Sequence, residues 1–128
     1  MDDNMTEYLQ AARSSLQALG KANPSAMKGF QEFMGAVKAD GVLSSKTKEL
    51  IGIAISIAKQ CKFCVAWHVK NALDKGATKE EIIEASMVAA TLGGGPALMF
   101  TKYVFKAIEE NKFYILPNVG MFKPMIKT

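Results

Sequence analysis

A single all-α domain is the fold that this sequence predicts. Apolar residues recur at three- and four-residue intervals along most of the chain, helix caps and breakers divide those stretches, and no segment reads as a convincing strand. The 128 residues are enough for one domain with its own core and too few for two. An apolar fraction of 49% and a charged fraction of 22% are those of an ordinary globular chain. The expected architecture is a helical bundle of about six helices spanning residues 1–128, with 112–128 as an apolar C-terminal tail.

The first helix is expected from about Thr6 to Leu19, with Tyr8, Leu9, Ala12, Leu16 and Leu19 at helical spacing and Gly20 near its stop. The second starts after Asn23 with Pro24 in its first turn and sets Met27, Phe30, Met34 and Val37 on one side. Asp40-Gly41 is the turn signal that follows. The third is capped by Ser44 or Ser45 and is apolar around most of its circumference, from Leu50 to Ala58, the pattern of a buried helix. The fourth carries two cysteines and runs to Lys75, where Gly76 suits a left-handed cap. Thr78 and Glu81 form a capping box for the fifth, which holds Ile82, Ile83, Met87, Val88 and Leu92. Gly93-Gly94-Gly95-Pro96 then acts as a hinge before a sixth helix with Leu98, Met99, Tyr103, Phe105 and Ile108. The glycines are not a phosphate loop, because no Lys-Ser/Thr follows them.

Charge excludes one class of function. The net charge is +4, but all the basic residues except Arg13 are lysines, spread along the chain among acids. That is a solvated surface rather than the clustered arginine of nucleic-acid recognition. The N-terminus, MDDNMTEYLQ, is acidic where a secretory signal needs a basic start, and the apolar run Ile51–Ala58 is far short of a bilayer span. The expected setting is cytoplasmic, with no membrane partner. There a structural disulfide is a poor reason for two cysteines two residues apart.

The chemistry-bearing residues are Glu49, Cys61, Cys64 and His68. At about 100° per residue, positions 61, 64 and 68 fall within one helical wedge of about 60°, so both thiols and the chain's single imidazole share a face. In one continuous helix Glu49 would lie about 18 Å from Cys61. A turn near Gln60 instead makes the third and fourth helices a central antiparallel hairpin, and brings the carboxylate level with the imidazole. Glu49 then orients His68, which takes the proton of a cysteine, while the helix N-terminus also favours the thiolate. Cys64, one turn from His68, is the expected attacking thiolate. Cys61, at i−3, is placed to attack an oxidised Cys64. One other reading competes: a zinc module using the same four side chains. Trp67 and Phe63 are expected as core or pocket wall.

The spaced motif Glu49-x11-Cys61-x2-Cys64-x3-His68, followed by Gly76-Ala77-Thr78-x-Glu80-Glu81-Ile82, resembles the AhpD-like alkylhydroperoxidases of the carboxymuconolactone decarboxylase superfamily over roughly Leu43 to Leu92. The resemblance implies an all-helical trimer or hexamer that reduces hydroperoxides or partner disulfides without a bound cofactor or metal. Lipoyl groups or a peroxiredoxin are the implied redox partners. By the same resemblance, Cys64 is peroxidatic, Cys61 resolving, and Glu49 and His68 belong to a proton relay. The sequence departs from that pattern at Phe63, where the best-known AhpD proteins have a histidine, so the relay implied here is a shorter one. The same resemblance implies an alternative, a lyase like the superfamily's decarboxylases, which needs no redox cysteine.

Overall fold

In the computed structural model, residues 3–115 are described; apart from the backbone of 112–115, the apolar tail expected at 112–128 lies outside them. Among the described residues five helices follow one another: α1 (Met5–Ala22), α2 (Pro24–Lys38), α3 (Ser45–Ala58), α4 (Lys62–Asp74) and α5 (Lys79–Ile115). Among the described residues there is no strand. The periodicity predicts six helices; the last two are the arms of one element, bent at Gly94 (φ 72°, ψ −159°), with Pro96 just beyond the bend. Only glycine takes that backbone conformation without strain, so the bend falls at one residue and helix resumes at once.

Local signals set the boundaries. Asn4, Asn23 and Ser44 each accept a backbone N–H three residues on, which caps α1, α2 and α3. Thr78 and Glu81 close a reciprocal capping box at 3.0 and 2.9 Å. Gly76, at φ 89°, takes the left-handed position after α4. The start of α1 also receives the Glu110 carboxylate, which accepts from the N–H groups of Met5 and Thr6 at 3.0 and 2.8 Å. An anion at a helix N-terminus is favourably placed, and here it ties the two ends of the described chain together.

The core sits where α3, α4 and α5 pack on one another, with α1 laid against α4 and α5. Ile53, Ile57, Val65, Val69, Ile82, Val104 and Ala107 are essentially inaccessible. The buried positions of α3 are Ser45, Glu49, Ile53, Ser56 and Ile57, a single helical stripe. The all-round burial expected for this helix is therefore incorrect: Ile51 and Ile55 lie off that stripe and are 44% and 53% exposed. Within α5, residues 79–111 are long enough to cross a bilayer and contain an 18-residue window of mean hydropathy 1.3, apolar enough to do so by composition. In this fold the segment is bent at Gly94 and sends Ile82, Ala89, Val104 and Ala107 into the core.

Candidate active site

The site forms where α3 gives way to α4. The chain leaves α3 at Lys59, turns through Gln60 in the left-handed region (φ 55°) and enters α4 at Lys62. Cys61 is the N-cap of α4, one residue outside the helix, and its Sγ accepts the Cys64 backbone N–H at 3.2 Å. The two cysteines are joined by a disulfide, with Cα atoms 5.2 Å apart. A cysteine pair spanning the N-cap and third residue of a helix needs little backbone adjustment to open or close, and either thiolate faces the positive end of the helix dipole.

One turn further along α4, His68 Nδ1 lies 2.7 Å from Glu49 Oε1. Glu49 belongs to the buried stripe of α3 and is only 3% exposed. The close approach depends on Gly52, one turn along α3: a Cβ there would lie 2.8 Å from His68 Nδ1 and 3.0 Å from two ring carbons. The second Glu49 oxygen, Oε2, accepts from Lys38 Nζ at 2.9 Å. Burial pushes the Glu49 carboxyl up, but the hydrogen bond from His68 and the hydrogen bond and charge of Lys38 outweigh it, and the net shift is below the ordinary glutamate range. Glu49 is thus ionised and can only accept, which puts a proton on His68 Nδ1 and makes Nε2 the acceptor nitrogen of the neutral ring.

Glu49, Cys64 and His68 share the lining of an open cavity of about 990 Å³. Its remaining wall is largely apolar, with Leu16 from α1, Met27, Phe30 and Met34 from α2, and Phe63 and Trp67 from α4. Cys61 does not line it. Phe63 stands edge-on to the Tyr8 ring, centroids 5.1 Å apart, and Lys62 lies 4.8 Å from the Tyr103 ring centroid and 3.3 Å from Asp3. The two residues between the cysteines are therefore anchored to α1 and α5. Among the described residues no three His, Cys, Asp or Glu side chains converge as a metal site.

All four residues singled out from the sequence meet here, Cys61 with Cys64 and Glu49 with His68. Sequence reasoning missed Lys38 and Gly52. Gly52 left a usable trace, since a glycine inside a helical apolar run signals a close approach by a neighbour. Lys38 left none: a lysine in the last turn of a helix is ordinary, and only the fold brings it to Glu49.

The fold and site define an all-helical protein with a redox-paired Cys-x-x-Cys beside a carboxylate–imidazole pair. The carboxymuconolactone decarboxylase family model matches residues 24–110, and the chain belongs to that family. A carboxymuconolactone decarboxylase family protein from Legionella pneumophila superposes with a TM-score of 0.81 at 36% identity, covering 85% of this chain and 97% of that one. An uncharacterized protein of Cupriavidus necator is 42% identical over 100 residues, 78% of this chain and 88% of that protein. A shorter match joins the chain to the alkyl hydroperoxide reductase AhpD of Corynebacterium kroppenstedtii, 39% identical over 46 residues, or 36% of this chain and 26% of that protein. Within the superfamily the chain is AhpD-like.

Proposed function

We propose that the protein is a thiol–disulfide oxidoreductase that reduces hydroperoxides or partner disulfides through a Cys61/Cys64 dithiol–disulfide cycle. The observation that carries this reading is the Cys61–Cys64 disulfide set at the cavity that also holds the Glu49–His68 pair. The antiparallel arrangement of α3 and α4 about Gln60 is part of it, supported by the left-handed turn and by the 2.7 Å contact.

In the reduced protein, His68 Nε2 takes the Cys64 proton and the thiolate attacks the terminal oxygen of a hydroperoxide. The O–O bond breaks, and the alkoxide leaves as an alcohol with the proton from His68. The Cys61 thiolate then attacks Sγ of the Cys64 sulfenic acid, hydroxide leaves and is protonated to water, and the disulfide is formed. Two electrons from an external dithiol reopen it. With a partner disulfide, the Cys64 thiolate forms a mixed disulfide, which Cys61 resolves by releasing the partner's second thiol. A lipoyl group or a peroxiredoxin is the proposed redox partner, in a reducing, cytoplasmic setting.

The protein is further proposed to act as a homo-oligomer, a trimer or hexamer. Ile51 and Ile55 on α3, and Val88 and Leu92 on α5, are large apolar side chains left in solvent, a cost that association would remove. Sedimentation that showed a monomer at all concentrations would overturn this part.

The test of the activity is peroxide-dependent oxidation of a dithiol reductant. Cys64→Ser is expected to reduce turnover to background and Cys61→Ser to stall the cycle after one oxidation. Full turnover by Cys64→Ser would sink the reading.

A further inference from the structure

We infer that Lys38 is a positioning residue of the proton relay: its bond to the second oxygen of Glu49 keeps that carboxylate ionised and aimed at His68, so that thiolate formation at Cys64 depends on a side chain from α2. This inference rests on the dithiol reading above and adds to it a fifth residue that lies outside the spaced motif.

The argument starts from burial. The Glu49 side chain is 4% exposed, and a carboxylate removed from water keeps its charge only where both oxygens find donors. His68 supplies one donor, at 2.7 Å, and Lys38 supplies the other, at 2.9 Å. Without Lys38, burial would favour the protonated acid. A protonated Glu49 can donate to Nδ1, which moves the imidazole proton to Nε2 and removes the base proposed to take the Cys64 proton. The lysine thus acts on the tautomer of a ring it does not touch.

The placement of Lys38 is specific to this contact. It stands in the last turn of α2, where the helix dipole favours a cation. No side chain of α2 is buried, so core packing does not force the lysine into place. Besides this ion pair, α2 is tied to α3 by Lys48, whose Nζ donates to the carbonyls of Val37 and Ala39 at 2.6 and 2.5 Å. The charged and titratable groups lining the cavity are Lys38, Asp40, Glu49, Cys64, His68 and Lys75. Asp40 accepts the Ser45 backbone N–H at 2.6 Å, and of the two lysines in the lining Lys38 is the one paired with Glu49.

The experiment measures the pH dependence of iodoacetamide alkylation at Cys64 in reduced, full-length protein carrying Cys61→Ser, with Lys38→Met, Lys38→Arg and Lys48→Met compared in that background. Lys38→Met is expected to move the alkylation midpoint up by about one unit and slow the neutral-pH rate about tenfold. Lys38→Arg should restore the rate to within about twofold, because it keeps a donor and a charge. Lys48→Met, which frees the end of α2 without touching Glu49, should leave the midpoint in place. A Lys38→Met profile that superimposes on its parent overturns the inference. So does a Lys48→Met shift as large as that of Lys38→Met, since the effect would then belong to the seating of α2. Either result leaves the dithiol reading standing, because that reading falls only if Cys64→Ser retains turnover.

Discussion

On one side of the cavity α4 buries Val65, Ala66, Val69 and Ala72, each no more than 3% exposed, whereas on the other side α2 buries no side chain at all. Both helices present apolar residues to the same space. They differ in what stands behind them: α4 is backed by α1, α3 and α5, while α2 touches only α1 and α3. The consequence is a division of labour. The cysteine pair and the imidazole are carried on a closely packed helix, and the facing wall is held by polar ties from Lys38 and Lys48.

The sharpest way to test that contrast is to truncate one apolar side chain on α3, which backs α4, and one on α2. Ile53→Ala in the stripe that supports the site should cost about 2–5 kcal/mol, from lost apolar transfer and the cavity left behind. Phe33→Ala on α2, where the ring is 64% exposed, should change stability by no more than about 0.5 kcal/mol. Urea denaturation of the two variants checks both values, and equal losses would show that α2 is packed as firmly as the core. Oligomer assembly must be held constant in that comparison, since a partner subunit on the α2 face would raise the second value.

Gly52 allows a finer cut, one that separates stability from chemistry within the well-packed wall. Replacing it with alanine improves helix propensity by up to about 1 kcal/mol. The new methyl group would also sit 2.8 Å from His68 Nδ1, so the ring must swing away and lose Glu49. Near-unchanged thermal stability together with a drop in turnover of about 10²-fold is the expected outcome, the scale on which a small misplacement of a reacting group acts. Unimpaired turnover would mean that the imidazole does not work from its observed position.

How much of this was legible in the sequence follows the range of the forces involved. Caps and turns are decided within four residues, and Ser44, Thr78 with Glu81, Gly76 and the Gly94 bend can be read from adjacent letters. The proximity of Glu49 to His68 follows from spacing once a turn is placed near Gln60, because the two positions then stand at similar distances along paired helices. What the letters do not carry is which side of an apolar helix finds a neighbour. Ile53 and Ile55 look alike in sequence, yet one is inaccessible and the other is 53% exposed. Lys38 is hidden for the same reason, since its partner is chosen by the packing of α2 on α3. The count of six helices failed on a narrower point: Gly94 absorbs the whole bend, so no loop separates the two arms.

The smallest expected effect is also the most direct reading of the polar tie between the walls. Glu49 titrates below the ordinary glutamate value of 4.5, burial pushing it up and the His68 and Lys38 contacts more than reversing that. A carboxyl whose folded value is depressed contributes stability that is fully present above its unfolded value and is lost as the pH falls through the folded one. The unfolding midpoint of the wild-type protein should therefore hold from neutral pH down to about 4.5 as far as this group is concerned, and decline below it. In Glu49→Gln that component of the acid-side slope should vanish, although other carboxylates continue to titrate. In Lys38→Met that component should shrink, because its onset is set by the unfolded carboxyl and the folded one is no longer held as far below it. Parallel acid limbs in all three proteins would mean that the buried carboxylate draws no net stabilisation from its two partners, and that α2 is held to the site by something other than the Lys38–Glu49 pair.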